Sequence, residues 1–519
     1  MRCPVCSSEI PDGSWFCTEC GAAMPEAPIP AEPAPAPEPE AVPETTAKKK
    51  SYKLVAIIAA AAVIVILAVV ILALVLAGKG GKKTAAMSGA YSPDALTNFY
   101  NDEIVYSRSG RVCEIDGGKL CGVSFDRSVL LIYSQSDEEL FVVTKAGANR
   151  VSRKEILSCA LSADGSRAVW IEDDGTLYSF DVRSGKTSEL AELDKNKSPS
   201  AVISPDGKTV LCSDRGDLYL ITGGKPSELG DSGIPAGVSD GGKYAYFFKE
   251  TKSGYRFCVR KNGETVKLCD SEGLISVYFN ASLDEAVFRD NAAGKTYISV
   301  RGTEPEKLTD YVPVTVTGEP SSRMIEADSG VVQTFARPTF AGTIYRTGNA
   351  LRVVTSGLET EKIAGKVDLS MCSNFGRSAA WITESGELWY LADSTAKKAE
   401  PVMLAEDIED PKMVIVSPDG ALVYYVNDDY EVIAVTPKGE QTRVGDDCRS
   451  WPCFDPLTGD LYYLSTGDTY RISGTERAKR VKTPEDFTGL AVDGGVMIAT
   501  DKQYNRYILS SDGTFIETD

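Results

Sequence analysis

The chain has 519 residues and contains no histidine. Histidine is the commonest general base beside a serine or cysteine nucleophile, and it is also the commonest metal ligand. Its absence therefore excludes Ser-His-Asp and Cys-His catalysis and every His-ligated metal site. Enzyme chemistry would have to use carboxylates, lysine, tyrosine or cysteine. We expect the chain not to be an enzyme.

Basic residues are fewer than acidic ones, at 55 against 74, which gives a formal net charge of -19. The charge is unevenly distributed: residues 1–47 carry -7, residues 48–83 carry +7 and residues 84–519 carry -19. A large acidic surface repels phosphate backbones. We therefore expect no nucleic acid partner for the C-terminal region.

Residues 54–77 contain no polar or charged side chain over 24 positions. As a helix they would span about 36 Å, enough to cross a hydrocarbon core of about 30 Å. A cleaved signal peptide would be shorter and nearer the N-terminus, and a buried core helix would have a polar face. The segment predicts one transmembrane helix, and hence a single-pass protein of the cell membrane.

The lysines that flank this segment do not decide its orientation. Lys48, Lys49, Lys50 and Lys53 precede it, and Lys79, Lys82 and Lys83 follow it. Orientation follows the excess of basic residues on the cytoplasmic side, and four against three is too small a difference. The domains on either side must therefore decide it.

Four cysteines lie in residues 1–24 with the spacing C-x2-C-x10-C-x2-C: Cys3, Cys6, Cys17 and Cys20. Two such knuckles place four thiolates at about 2.3 Å around Zn²⁺ in a closed tetrahedron, so the site would be structural. Two disulfides or a redox C-x2-C pair are the alternatives. A redox motif normally lies in a strand–helix context, which is not evident here. The spacing predicts a small four-cysteine zinc ribbon with one zinc ion.

The sequences CPVC, IPDG and FCTEC, followed by Gly21, resemble the zinc ribbons at the N-termini of many bacterial membrane proteins. The resemblance implies an interaction module with a protein partner. Zinc-bound thiolates are typical of the reducing cytosol. We therefore expect the N-terminus to be cytoplasmic and the C-terminal domain extracytoplasmic.

One linker is predicted on each side of the apolar segment. Residues 25–53 are rich in Pro, Ala and Glu and end in a basic flank. Repeated proline favours an extended polyproline II spacer, although a ligand for a proline-binding module is an alternative. Residues 78–98 form the second linker.

Residues 99–519 repeat one unit. Copies begin at 161 (LSADGSRAVWI), 203 (ISPDGKTVLC) and 416 (VSPDGALVYYV), with looser copies at 238, 279, 371 and 454. An apolar strand leads into a Ser-Pro-Asp-Gly turn, an alternating strand follows, and two further strands complete the unit. Four antiparallel strands repeating about every 35 to 45 residues are typical of propeller blades. The pattern predicts a large all-β propeller.

The SPDG turns resemble those of TolB-like and prolyl-oligopeptidase-type propellers over residues 121–519. Such propellers serve scaffolding, sensing and catalysis alike. About ten units are apparent, with a weak one at 330–364 and a partial one at 103–116, so we predict seven to ten blades. Residues 99–116 are expected to add a strand that closes the ring with the C-terminal blade. We find no hydrolase domain after the propeller and expect no peptidase of that type.

Nine cysteines lie in the propeller region. The sequence favours the pairs Cys113–Cys121, Cys258–Cys269, Cys448–Cys453 and Cys159–Cys212, with Cys372 left over. We expect at least one disulfide; the alternative is that these are small buried thiols.

Three acidic clusters, at 137–139, 173–174 and 428–429, fall in predicted turns. None has the D-x-D-x-D-G spacing of a calcium loop. Solvated turn residues are therefore the preferred interpretation.

The order of ribbon, spacer, helix and propeller favours a membrane-anchored binding or sensing protein with protein partners on one or both sides. Two other functions stay open. One is a cell-surface propeller enzyme that acts on carbohydrate through paired carboxylates, and the other is a passive envelope scaffold. The sequence does not identify the ligand.

Overall fold

A computed structural model describes residues 92–99, 103–273, 275–280, 282–308, 344–347, 349–354, 360–372, 378–394 and 400–518. The predicted zinc ribbon and the apolar segment at 54–77 lie outside these residues. Among the residues described, no helix is long and apolar enough to cross a membrane. The same residues contain no cluster of three or more acidic or cysteine side chains placed to hold a metal.

The described residues form eleven antiparallel sheets, numbered here in chain order. Sheets 1 to 3 are β1 (Leu96–Phe99), β2 (Ile104–Ser107), β3 (Gly110–Glu114); β4 (Gly118–Val123), β5 (Val129–Ser134), β6 (Glu139–Thr144), β7 (Gly147–Ser152); and β8 (Ile156–Leu161), β9 (Arg167–Glu172), β10 (Thr176–Asp181), β11 (Lys186–Glu192). Sheets 4 to 6 are β12 (Ser200–Ile203), β13 (Thr209–Asp214), β14 (Asp217–Thr222), β15 (Lys225–Ser232); β16 (Ile234–Val238), β17 (Tyr244–Thr251), β18 (Gly254–Lys261), β19 (Glu264–Ser271); and β20 (Ile275–Phe279), β21 (Glu285–Asp290), β22 (Lys295–Val300), β23 (Glu306–Leu308).

The remaining sheets complete the domain. Sheets 7 to 9 are β24 (Ile344–Thr347), β25 (Ala350–Val354), β26 (Thr360–Ala364); β27 (Val367–Cys372), β28 (Ala379–Thr383), β29 (Leu388–Leu391), β30 (Val402–Ala405); and β31 (Met413–Val416), β32 (Val423–Val426), β33 (Val432–Val435), β34 (Gln441–Gly445). Sheets 10 and 11 are β35 (Cys453–Phe454), β36 (Leu461–Ser465), β37 (Asp468–Ile472), β38 (Lys479–Val481); and β39 (Phe487–Asp493), β40 (Val496–Asp501), β41 (Arg506–Leu509), β42 (Phe515–Glu517). Two short 3-10 helices, Lys195–Lys197 and Asp240–Gly242, lie in loops.

Strands pair in chain order within each sheet, as in a meander. Because successive strands run antiparallel, the first and third hairpins of a four-stranded sheet lie at one end of it. The second hairpin and the connectors to neighbouring sheets lie at the opposite end. We call these two sides of the domain the turn face and the connector face.

A serine holds the turn between the first and second strands of many sheets. In sheet 3 the Ser162 hydroxyl accepts from the Arg167 amide at 3.0 Å and donates to the Asp164 carboxylate at 2.7 Å. Ser204 and Ser417 do the same in sheets 4 and 9. In each turn the serine hydroxyl satisfies a backbone amide that the tight turn would otherwise leave unpaired. The predicted SPDG-type turn is thus a recurring element of the sheets.

These turns also bond to one another between sheets. The Phe125 amide of sheet 2 donates to the Ala163 carbonyl of sheet 3 at 2.6 Å. The Asp164 amide donates in turn to the Pro205 carbonyl of sheet 4 at 3.0 Å. Neighbouring sheets are therefore joined at the turn face by main-chain hydrogen bonds as well as by packing.

The sheets are apolar on both sides and pack face to face. On β9, Val169 and Ile171 pack against sheet 4, whereas Ala168 and Trp170 pack against sheet 2. This is the period-2 alternation of a strand with both faces covered. The same sandwiching recurs between most neighbouring sheets of the described residues and gives a large all-β, propeller-like domain.

Sheet 1 packs between sheet 2 and the last sheet of the chain. Val105 joins the apolar cluster shared with Leu130 of sheet 2, and Tyr106 packs with Val496 and Ile508 of sheet 11. The expectation that residues 99–116 add a strand to the C-terminal blade is wrong. They belong to a separate three-stranded sheet, which begins at Leu96. One face of this sheet packs against sheet 11. The described sheets therefore number eleven, above the predicted seven to ten.

A buried ion pair joins sheet 1 to sheet 10. Arg108 and Asp455 are 3% and 1% exposed, and the guanidinium donates to the carboxylate. Arg108 also donates to the Gly495 carbonyl at 3.1 Å, and Asp455 accepts from the Thr458 hydroxyl at 2.8 Å. Such surrounding hydrogen bonds are what a buried pair needs to offset its desolvation. Sheet 1 is thus tied to sheet 10 by the ion pair and to sheet 11 by the hydrogen bond to Gly495.

We predict that Arg108→Met destabilises the domain by about 3–5 kcal/mol, because it leaves the Asp455 carboxylate buried without its cation. Adding Asp455→Leu to Arg108→Met should recover part of that loss. Urea unfolding of the full chain measures both effects. Arg111→Met, which removes an exposed pair with Glu114 on the same sheet, should cost at most about 1 kcal/mol. Equal losses for Arg108→Met and Arg111→Met would contradict the prediction.

Candidate functional site

The three acidic clusters noted in the sequence lie on the connector face, two in the neighbouring sheets 2 and 3 and one in sheet 9. Each falls at the hairpin between the second and third strands of its sheet, in sheets 2, 3 and 9. In sheet 3 the Lys154 ammonium lies 2.6 Å from the Asp174 carboxylate. This hydrogen bond is the main cause that lowers the pKa of Asp174 to about 2. The carboxylate is a charged, solvated turn residue with a basic partner.

The connector from sheet 9 to sheet 10, residues 446–452, is held in place by Asp447. Its carboxylate accepts from the Ser465 hydroxyl at 2.5 Å, from the Thr466 hydroxyl at 3.1 Å and from Arg449 Nε at 2.6 Å. The Ser465 bond contributes most to lowering the pKa of Asp447 to about 2, followed by the bond from Arg449. The ionised carboxylate thus fastens the connector to the β36–β37 hairpin.

Arg449 links the same connector back to sheet 9. Its guanidinium carbon lies 3.7 Å from the centroid of the Tyr430 ring, which belongs to the β32–β33 hairpin. Its backbone amide donates to the Leu464 carbonyl of sheet 10 at 3.1 Å. A cation over an aromatic face is attracted by the ring quadrupole. The connector is therefore held from both neighbouring sheets.

Trp451 lies on this fixed connector and is 49% exposed. Its neighbours Cys448 and Pro452 are buried, so the backbone around it is anchored. Large aromatic side chains on rigid positions bury much area at a low cost in conformational entropy, and tryptophan is enriched at binding hot spots. Trp451 is consequently the strongest candidate contact residue on the connector face.

A polar pocket of about 470 Å³ lies beside this connector. It is lined by Gly467, Asp468, Arg480, Val481, Lys482, Thr483, Pro484, Glu485 and Asp486. Thr466, which bonds Asp447, is adjacent in the chain to Gly467 of the pocket wall. The connector 446–452, the hairpin 465–468 and residues 480–486 therefore form one continuous surface. We call it the sheet-10 patch.

Most carboxylates of the sheet-10 patch are paired with basic side chains. Asp446 contacts Arg477 at 2.6 Å, Asp468 contacts Arg480 at 2.5 Å and Asp486 lies 3.6 Å from Lys502. General acid catalysis by a carboxyl requires an environment that keeps it protonated, such as a hydrophobic pocket. Ion-paired carboxylates around an exposed tryptophan suit binding better than proton transfer.

The disulfide expectation is wrong for the described cysteines, because none of the expected pairs is bonded among these eight: Cys113, Cys121, Cys159, Cys212, Cys258, Cys269, Cys448 and Cys453. The physical reason is that the members of each expected pair point into different layers. Cys258 packs toward sheet 4 and Cys269 toward sheet 6, on opposite sides of sheet 5. Cys159 and Cys212 likewise belong to the layers on opposite sides of sheet 3.

The other two expected pairs fail for a related reason. The DGGK segment is the connector between sheets 1 and 2, so Cys113 and Cys121 are not partners in a hairpin. Cys448 packs between sheets 9 and 10, and Cys453 packs between sheets 10 and 11. Burial raises the pKa of Cys448 to about 12 and of Cys453 to about 11, so both thiols stay protonated near neutral pH.

The sequence did not predict the sheet-10 patch. Residues 449–452 (RSWP) lie between Cys448 and Cys453, which were expected to form a disulfide. The signal for the patch is a tryptophan that is followed by proline and lies two positions after an arginine, outside any alternating strand pattern. The predicted zinc ligands Cys3, Cys6, Cys17 and Cys20 lie outside the described residues.

We predict that the connector stays fastened from neutral pH down to about pH 4 and is released as the pH falls toward 2. The pKa of Asp447 is lowered from 3.8 in the unfolded chain to about 2 in the folded one. The stabilisation that the ionised carboxylate provides is therefore complete above the unfolded pKa and is lost as the pH falls through the folded pKa. The fluorescence difference between wild type and Trp451→Phe measures this release. Asp447→Asn should abolish the transition near pH 2. A transition that survives in Asp447→Asn would contradict the assignment.

No protein-family model matches the chain, and a search of the curated proteins gives no match. Among solved structures, a eukaryotic initiation factor is 8% identical, with 75% of this chain and 96% of that chain covered at a TM-score of 0.33. A protein described as TolB from Agrobacterium tumefaciens is 18% identical over 36% of this chain and 78% of its own, at 0.28. The GH74 xyloglucanase from Xanthomonas campestris is 11% identical over 82% and 85%, at 0.32. Similarities this weak do not indicate an activity or a partner. The domain is called propeller-like because of its own sheet topology.

Proposed function

We propose that this chain is a single-pass membrane-anchored binding protein whose propeller-like domain presents the sheet-10 patch to a protein or other ligand outside the cytoplasm. The observation that carries the proposal is Trp451, half exposed on a connector that Asp447 and Arg449 fasten to both neighbouring sheets. A preorganised contact surface avoids the entropy cost of ordering a loop on binding. Binding is favoured over catalysis because most carboxylates of the patch are ion-paired.

The N-terminal part of the proposal rests on the sequence. Residues 54–77 would anchor the chain in the membrane, and Cys3, Cys6, Cys17 and Cys20 would hold one structural zinc ion. Four thiolates fill every position of a tetrahedral zinc site, so the donor set suits structural zinc and leaves no position for a substrate. The zinc would supply the folding free energy of a module too small to fold without it.

We predict that the full-length chain binds one equivalent of Zn²⁺, which elemental analysis measures. Cys3→Ser together with Cys17→Ser should reduce this to near zero, because two of four ligands are lost. Cys372→Ser, which changes a cysteine outside the predicted site, should retain the metal. Retention of zinc in the double variant would overturn the assignment.

The topology prediction is tested by treating intact cells with trypsin. Cleavage in residues 78–98, after Lys79, Lys82 or Lys83, should release the propeller-like domain into the medium, while an N-terminal tag stays protected. A cytoplasmic marker protein should remain intact as a control. Release of the domain only after lysis would reverse the proposed orientation.

The binding prediction concerns Trp451. The measurement is the amount of partner protein that the full-length chain captures by cross-linking on intact cells. Trp451→Ala should capture at least about tenfold less than wild type, as expected for a hot-spot residue. Tyr504→Ala is the matched control, because Tyr504 is 84% exposed in the β40–β41 hairpin, outside the sheet-10 patch. Equal capture by both variants would contradict the role of the patch.

A further inference from the structure

Two cysteines of neighbouring sheets lie together, and the sequence did not predict them as a pair. Cys121 is in β4, the first strand of sheet 2, and Cys159 is in β8, the first strand of sheet 3. Both pack in the apolar cluster between these two sheets, and the strands β4 and β8 are in contact. Cys121 is also the first cause that raises the pKa of the Cys159 thiol, so the two thiols interact.

The backbone explains how the thiols meet. The pairing of β4 with β5 shifts between Leu120 and Gly122, so Cys121 is the extra residue of a β-bulge. A bulge takes a residue out of the ladder and re-aims its side chain. Gly122 allows close approach, because a Cβ there would lie 2.8 Å from Cβ of Leu161 in β8. The bulge and the glycine together bring Cys121 against sheet 3.

We propose that Cys121 and Cys159 form a reversible disulfide bond that joins the first strands of sheets 2 and 3. The oxidant would be a disulfide compound of the glutathione class. One thiolate attacks that disulfide, forms a mixed disulfide and expels one reduced thiol. The second cysteine then attacks the mixed disulfide and expels the second. The two cysteines lose two protons and two electrons, and the electrons reduce the oxidant to two thiols.

The surroundings set the speed of this reaction. Both cysteines are partly exposed, so a small disulfide can reach them. The pKa of Cys159 is raised well above its usual value, first by the hydrogen bond with Cys121 and then by burial. Only the thiolate attacks a disulfide. The bond therefore forms slowly near neutral pH and faster as the pH rises.

The bond would also change stability. It closes a loop that contains the hairpins of sheet 2 and the connector to sheet 3, and so restricts the unfolded chain. It would also fasten one sheet to the next in a domain where neighbouring sheets are otherwise held by packing and by turn-to-turn hydrogen bonds. Oxidation should therefore raise the urea midpoint of the domain.

The test is peptide mapping of the full-length chain after incubation with oxidised glutathione under native conditions. Trypsin releases Cys121 in peptide 120–127 and Cys159 in peptide 155–167. We expect these two peptides to be linked, to separate after reduction, and to form faster at about pH 9 than at about pH 7. The urea midpoint should rise on oxidation and return on reduction.

Matched variants separate this pair from the other thiols. Cys159→Ser should abolish the linked peptide and the rise in midpoint, while Cys212→Ser, which removes the thiol on the far side of sheet 3, should change neither. Glutathione adducts on both peptides without a link would overturn the proposal. So would a link that forms only in urea, because it would show that the folded domain keeps the two sulfurs apart.

Discussion

The domain depends on one constraint: its sheets are apolar on both faces, so every sheet needs a neighbour on each side. For most sheets the next repeat along the chain supplies that cover. Sheet 11 is covered instead by sheet 1, which packs Tyr106 against Val496 and Ile508. The buried pair of Arg108 and Asp455 adds a polar link from sheet 1 to sheet 10. The three-stranded sheet at the start of the domain is therefore the element that completes the packing.

The two faces of the domain differ in chemistry. On the turn face, serine and aspartate side chains satisfy the backbone, and adjacent turns bond to each other, so this side is repetitive and structural. On the connector face, loops differ from sheet to sheet, and Asp447 and Arg449 hold one of them rigidly enough to expose Trp451. Repetition on one face thus leaves the other free to carry recognition.

The sequence predicted what is local and repeated. The SPDG turns, the alternating strands and the four-stranded unit follow from turn chemistry and period-2 patterning, and the structure confirms them in an all-β, propeller-like domain. The sequence did not predict what depends on relations between sheets. The covering role of residues 96–114 is a packing relation with residues almost four hundred positions away, as the bond from Thr97 to Asp493 shows.

The cysteines illustrate the same limit. Closeness along the chain favoured Cys258 with Cys269, yet neighbouring strand residues that differ by one position in register face opposite layers. The approach of Cys121 to Cys159 depends on a bulge and on a glycine, neither of which the repeat pattern reveals. The sheet-10 patch was missed because it is assembled from two connectors and a hairpin. No single stretch of sequence contains it.

The packing of sheet 1 on the end of the chain is the central claim, and a cross-link tests it most directly. The Thr97 hydroxyl lies 3.0 Å from the Asp493 carboxylate, on strands of sheets 1 and 11. Thr97→Cys combined with Asp493→Cys should give, on mild oxidation of the folded full-length chain, a linked tryptic peptide joining the two positions. Efficient oxidation of each cysteine without that link would contradict the account, because it would leave sheet 11 without the cover that sheet 1 provides.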